Sequence, residues 1–217
     1  PTIEKTRILS MGQQIVRLDR EENGELDLKS QKSMFAKFSE AVSTLDAVVI
    51  SDYDKGVVTA DSARMILRSA QKQRVPVIAA PKPSHFSFFR DVAVIVPNKK
   101  EAEGIIGYPI DSEADLLKVG ESLARQARSA VLITRGKDGM SLFENGKARH
   151  IKSAAREVYD VTGAGDTVAA VLALGIASGM SRYRAALLAN AAAGIVVGKR
   201  GTATVSAREL TQVIQEL

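Results

Sequence analysis

The sequence of 217 residues contains no cysteine, no tryptophan and only two histidines. Without cysteine there is no disulfide, no thiolate nucleophile, no cysteine-ligated zinc and no iron–sulfur cluster. His85 and His150 are too few for a multi-histidine metal centre. Aromatic residues make up 5% of the chain, too sparse for an interleaved platform on which bases stack. No apolar run reaches the ~18 residues of a membrane span. The longest stretch, Ala164 to Ala177, is interrupted by Asp166 and Thr167. The opening segment, Pro-Thr-Ile-Glu-Lys-Thr-Arg, has no signal-peptide core. Together with the missing cysteine, these features lead to the expectation of a cytoplasmic protein.

What is present is ordinary for a folded domain: 45% apolar and 25% charged residues, in a chain long enough to bury a core unaided. Basic residues outnumber acidic ones by 30 to 25, a formal charge of +5. Such a balance suits an anionic partner: nucleic acid, an acidic membrane surface or a phosphorylated small molecule. The basic residues are scattered, with no polybasic block, so neither nucleic acid nor a membrane is expected as a partner.

Periodicity places extended segments at Thr6–Ser10 and Gln14–Asp19, joined near Met11-Gly12, and a polar connector over Glu21–Gln31. Met34, Phe35, Phe38, Ala41 and Val42 then recur at helical spacing. Strands are expected at 47–50, 75–79, 92–96 and 131–134, with an antiparallel pair at 140–143 and 148–151. Helices are expected at 59–73, 99–106, 113–128, 164–178, 182–198 and 207–216, the first of them capped by Thr59 or Asp61. Short apolar strands alternating with amphipathic helices predict a single α/β core with a mostly parallel sheet covered on both faces.

The most informative stretch is Asp160-Val-Thr-Gly-Ala-Gly-Asp166, running straight into an apolar helix. The amides of Gly163, Ala164, Gly165 and Asp166 are expected at that helix's N-terminus, where unpaired N–H groups and the helix dipole favour an anion. A carboxylate beside an anion hole suits phosphoryl transfer, because it orients an attacking hydroxyl while the amides meet developing phosphate charge. The same residues also suit a tight turn with Asp166 as a capping carboxylate. A dinucleotide fingerprint is excluded because position 168 is Val. A P-loop is excluded because the nearest string, from Gly194 to Arg200, is a residue short and ends in Arg.

This signature resembles the C-terminal motif of the PfkB (ribokinase-like) sugar kinases. Lys5-Thr-Arg7, Gln13-Gln14 through Arg17-Leu-Asp19, Ser51-Asp-Tyr-Asp-Lys-Gly56 and Ala189 through Ser206 resemble the heptose 7-phosphate kinase branch of that family. The resemblance implies a ribokinase-like three-layer αβα sandwich. It also implies ATP-dependent phosphorylation of D-glycero-D-manno-heptose 7-phosphate at its anomeric hydroxyl, assisted by Mg²⁺. By position, Asp166 is then the general base and Gly163, Ala164 and Gly165 the anion hole. Asn98 and Glu101 match an Asn-x-x-Glu motif whose Glu helps place Mg²⁺. Thr134, Gly136 and Gly139 match the nucleotide-side loop, and Asn190 the adenine side. Lys5, Arg7 and Lys55 are offered to the sugar phosphate. Each also has a bland reading, as helix cap, hairpin turn, packed amide or solvated surface charge. His85, among Phe86, Phe88 and Phe89, is expected to be packed rather than catalytic.

The sequence departs from the family in two ways. Ala80-Pro-Lys82 stands where the family carries Asp-Pro-Lys. The chain also has no initiating Met and aligns from about a third of the way into the family's domain. Residues 1–30 are accordingly expected to be a remnant of the lid strands with a connector, and residues 31–217 the C-terminal two-thirds of the kinase core. The resemblance further implies a homodimer through lid strands and, in the longer protein, a fused adenylyltransferase domain. Because the family's sugar pocket draws on the N-terminal third, the isolated 217-residue chain is expected not to phosphorylate sugar. Turnover of heptose 7-phosphate by that isolated chain would overturn this expectation.

Overall fold

The computed structural model describes residues 3–10, 13–21, 24–155 and 157–216. The expected turn at Met11-Gly12 lies outside the described residues. On either side of it, β1 (Glu4–Ser10) and β2 (Gln13–Arg20) pair antiparallel as a separate two-stranded ribbon, with a bulge between Ile8 and Leu9. The connector is shorter than expected, because α1 (Leu28–Ala41) begins inside it. Asp27 explains the early start: its Oδ1 accepts from the amides of Lys29 at 2.9 Å and Ser30 at 3.0 Å, satisfying donors that the first helical turn leaves open.

From there strands and helices alternate: β3 (Val48–Ser51), α2 (Ala60–Gln73), β4 (Val77–Ala80), β5 (Val94–Ile95), α3 (Lys99–Ile106), α4 (Glu113–Ala127) and β6 (Ala130–Thr134). β7 (Met140–Glu144) and β8 (Lys147–Ile151) form the expected hairpin, followed by α5 (Ala164–Ala177), α6 (Arg182–Val197) and α7 (Ala207–Glu216). β4 starts two residues later than the pattern suggested. The Val75 amide closes the end of α2 on the Ala70 carbonyl, and Pro76 has no donor for a ladder. β5 is short, although the Ala93 and Val96 amides extend its pairing to the carbonyls of Val77 and Ala79. A 3₁₀ turn at Pro83–Phe88 was not legible in the periodicity.

The six strands lie in the order β3-β4-β5-β6-β7-β8, parallel through β6 and antiparallel thereafter. Side chains alternate across this sheet with the strand period of two. Val77, Ala79, Ile95, Val131 and Ile133 face one core built with α2, α3 and α4, with Phe38 of α1 packed against it. Ile78, Val94, Leu132 and Leu142 face a second core built with α5 and α6, with Leu210 of α7 packed against it. Helices on both faces of a mostly parallel sheet make the expected three layers. Fully buried side chains such as Leu132 and Ile133 each stabilise the fold by about 1.5–3 kcal/mol. Among the described residues no helix is long and apolar enough to cross a membrane.

Candidate active site

Parallel strands deliver their carboxyl ends, and whatever follows them, to one edge of the sheet. At that edge lie Ser51 at the end of β3 and Tyr53 beyond it, Lys82 after β4, Asn98 after β5 and Thr134 at the end of β6. Asn98 and Thr134 are joined by a parallel bridge. The N-terminus of α5 meets β3 at the same edge.

Gly163 caps α5 at φ +82°, a left-handed conformation that glycine adopts without a Cβ penalty. The expectation of four outward amides needs one correction: the Ala164 amide turns back to the Val161 carbonyl at 3.2 Å. That bond closes the turn, so Ala164 contributes shape rather than a donor. Ahead of the turn, Asp160 Oδ1 accepts from the Thr162 amide at 2.8 Å. Bonds from Thr162 and, more weakly, the charge of Arg7 hold the Asp160 carboxyl below its usual range.

Ala164 and Gly165 line a cleft of about 840 Å³ that Thr134, Gly136, Gly139 and Asn190 also line. The structure thus brings together, along one cavity, residues from distant parts of the chain. Gly139 sits at φ +80°, and a Cβ there would meet the Ser153 amide nitrogen at 2.6 Å. Asn190 is buried and donates through Nδ2 to the Lys152 carbonyl at 2.8 Å, tying α6 to the strand end opposite. Arg135 shapes the mouth, with Nη1 on Glu113 at 2.8 Å and Nη2 on the Asp138 carbonyl at 2.9 Å.

Asp166 turns away from the cleft toward β3. Its Oδ1 accepts from Ser51 Oγ at 2.8 Å and its Oδ2 from the Tyr53 hydroxyl at 2.7 Å. The α5 turn therefore separates a cleft on one side from a carboxylate held by two hydroxyls on the other. Sequence reasoning marked Ser51 and Tyr53 only as part of a motif; that they hold Asp166 is visible only in three dimensions.

Glu101 stands at the start of α3 in a capping box. Its Oε2 accepts from the Asn98 amide at 2.9 Å, and Asn98 Oδ1 accepts from the Glu101 amide at 2.9 Å. Its other oxygen accepts from Lys82 Nζ at 2.6 Å. Each oxygen accepts one bond, so each keeps one lone-pair site, beside the Lys82 ammonium. Among the described residues no group of three or more His, Asp or Glu is placed to hold a metal ion. The donor set does not fit an all-protein Mg²⁺ cage, whereas Mg²⁺ commonly keeps its waters and rides on substrate phosphates.

Where the family carries an Asp, Ala80 has only its carbonyl, which accepts from the Asp52 amide at 3.0 Å. The buried carboxylate at this point is Asp52 itself, accepting from the Lys82 amide at 3.1 Å and paired with His85 Nδ1 at 2.8 Å. His85 also stacks on Phe88, in keeping with a packed residue.

The three basic candidates separate. Lys5 pairs with Asp19 at 3.0 Å and Lys55 with Glu21 at 2.7 Å, so both are neutralised at the foot of the ribbon. Gly56 lets the connector lie against this loop, and the Leu26 amide reaches its carbonyl at 3.2 Å. Arg7 forms no ion pair among the described residues and stands directly opposite Arg17 across the ribbon, and the Arg17 Nε is paired with Asp19 at 2.9 Å. The Asp19 carboxylate offsets the like-charge pairing, a feature visible only once the register is known.

A model of the pfkB family of carbohydrate kinases matches residues 2–209. The chain is 42% identical over 211 residues to the bifunctional protein HldE of Geotalea uraniireducens, covering 96% of this chain and 43% of that protein. It is 44% identical over 216 residues to bifunctional protein HldE of Erwinia tasmaniensis, covering 99% of this chain and 44% of that one. The chain thus spans less than half the length of these curated relatives. Among solved structures, phosphofructokinase-2 from Escherichia coli in complex with potassium superposes with a TM-score of 0.78 at 17% identity, over 93% of this chain and 66% of that one. Arabidopsis thaliana ribokinase complexed with ribose and ATP gives a TM-score of 0.75 at 19% identity, over 94% and 65% of the two chains.

Proposed function

The chain belongs to the pfkB family of carbohydrate kinases, and from that premise we propose that it is the kinase module that phosphorylates D-glycero-D-manno-heptose 7-phosphate at the C1 hydroxyl with ATP. The observation that carries this reading is the two-sided α5 turn: backbone amides and a large cleft on one side, the Asp166 carboxylate on the other. The heptose branch is favoured by the Ser51-to-Gly56 and Lys5-to-Asp19 segments, and by relatives described as bifunctional.

In this reading the nucleotide lies in the cleft, with Thr134, Gly136 and Gly139 along its phosphates and Asn190 toward the base. Ala193 and Gly194 also line this cleft, Gly194 packed against the Ala154 backbone. Asp166 accepts the proton of the acceptor hydroxyl as the new O–P bond forms. The Gly163 and Gly165 amides, with the positive end of α5, meet the charge that grows on the phosphoryl oxygens. The segment of residues 1–30 serves as the lid, and its Arg7, which forms no ion pair among the described residues, is the cation offered to the distal phosphate, while Arg17 is already paired with Asp19 at 2.9 Å. Mg²⁺ would supply charge neutralisation to the ATP phosphates, and Glu101 is the carboxylate we assign to its neighbourhood. The homodimer and the fused adenylyltransferase domain remain part of this proposal.

The test is acceptor selectivity in the full-length protein. With ATP and Mg²⁺, heptose 7-phosphate is expected to give the 1,7-bisphosphate, read by phosphorus NMR, while ribose and fructose 6-phosphate give little product. Preferential turnover of either alternative would move the chain to another branch of sugar kinases. A second variant probes Glu101. Glu101→Gln keeps the capping box, since Gln serves there too, but removes the charge that faces Lys82. With that negative charge gone from the metal's neighbourhood, the Mg²⁺ concentration for half-maximal rate is expected to rise by about tenfold, the size of one interaction between charged groups. An unchanged Mg²⁺ titration would remove Glu101 from the metal's neighbourhood.

A further inference from the structure

Resting on the reading of Asp166 as the base, we propose that Tyr53 is a displaceable cap on it: the phenol occupies the carboxylate until the acceptor hydroxyl takes its place, and so suppresses transfer to water.

The two hydroxyls on Asp166 are held very differently. Ser51 belongs to β3, fixed by parallel pairing to β4, and its bond to Oδ1 orients the carboxylate. Tyr53 belongs to the loop beyond the strand, where Asp54 and Gly56 take left-handed backbone angles. The residue is 56% exposed, so no core packing keeps the ring in place. What holds it is the 2.7 Å bond from its hydroxyl to Oδ2 and the Lys82 ammonium 6.0 Å from its ring centroid. That distance is at the outer limit of a cation–π contact.

A phenol donating to a carboxylate and a sugar hydroxyl donating to the same carboxylate are the same kind of bond. Exchanging one for the other therefore costs little, and the sugar's remaining contacts decide the outcome. Tyr53 also stays a donor. The bond to Asp166, then partial burial, then the carboxylate's charge raise its phenol above the ordinary value, so it does not ionise near neutrality. Lys82 spans from Glu101 to the face of Tyr53, so the cap is tied to both carboxylates of the site.

The reaction being suppressed is hydrolysis. A water oxygen bonds to the γ-phosphorus of ATP, and the bond from that phosphorus to the β–γ bridging oxygen breaks. The water's proton passes to Asp166 and then to solvent, leaving ADP and inorganic phosphate. With Oδ2 covered by the Tyr53 hydroxyl, water lacks the acceptor it needs. The incoming sugar lifts the phenol and takes that oxygen for its own proton.

The experiment compares ADP release with and without heptose 7-phosphate in the full-length protein and its Tyr53→Phe variant. The phenyl ring keeps the shape and loses the donor. The ratio of sugar-independent to sugar-dependent turnover is expected to rise by about tenfold, as for loss of one bond to a charged group. Tyr53→Phe/Asp166→Asn is expected to lose the gained hydrolysis, because the freed base is what activates water. An unchanged ratio in Tyr53→Phe, or an equal fall in both rates, overturns the cap, as does gained hydrolysis that survives in the double variant. Wild-type sugar turnover in Asp166→Asn alone instead overturns the underlying reading of the base.

Discussion

Replacing Asp166 with Asn in the full-length protein is expected to lower sugar phosphorylation by about 10²- to 10⁴-fold, the range lost with a positioned general base. Affinity for ATP is expected to stay close to wild type. The substitution preserves shape, and the Ser51 and Tyr53 hydroxyls can rotate to donate to one amide atom and accept from the other. What disappears is the ability to accept a proton. Nucleotide affinity is spared because the cleft is lined by Ala164 and Gly165, whereas Asp166 faces β3 across the turn. Steady-state assays paired with a calorimetric nucleotide titration separate these effects. Turnover within a few-fold of wild type would remove Asp166 from the chemistry.

Gly139→Ala is expected to damage the other side of the site, through the backbone rather than the chemistry. Gly139 lies at φ +80° and ψ −129°, and its missing Cβ is where the Ile151 carbonyl and the Ser153 amide approach. Backbone atoms cannot swing aside as a flexible side chain does. A backbone conformation that only glycine adopts readily costs another residue about 1–3 kcal/mol, and the clash brings the expected loss to about 3–5 kcal/mol. For a chain of this size that lowers the melting temperature by roughly 10 °C. Because the displaced β8 end carries Lys152, whose carbonyl accepts from Asn190, nucleotide binding is expected to weaken with stability. Gly136 is the matched control. It has φ +59°, and a methyl group there would meet nothing within 4 Å, so Gly136→Ala bears only the conformational cost. Equal melting temperatures for the two variants would refute the close approach at position 139.

How much of this was readable beforehand depends on the range of the interaction. The Gly163 turn was legible because two glycines, a carboxylate and an apolar run are consecutive, and their geometry is set by local backbone preference. Glu101 was legible as a carboxylate in a helix's first turn, but its reciprocal capping box with Asn98 appears only in the structure. The start of α1 was missed because Asp27 is one polar residue within a polar stretch, and only its bonds to Lys29 and Ser30 distinguish cap from connector. The early start given to β4 had a similar cause: apolar Val75 fits a strand pattern, yet its amide is already used by α2.

Taken alone, the sequence determined the layers, the helix on which Asp166 sits, and the absence of thiol and multi-histidine chemistry. Hydrophobic period and residue inventory decide those without reference to distant parts of the chain. Only the tertiary structure decided which hydroxyls hold Asp166, that Lys82 occupies Glu101, and that Lys5 and Lys55 are neutralised while Arg7 faces Arg17. Each of those pairs residues on different elements. The hydrogen bonds and Coulomb forces that join them act over a few ångströms, a proximity created by strand order and register rather than by spacing along the chain.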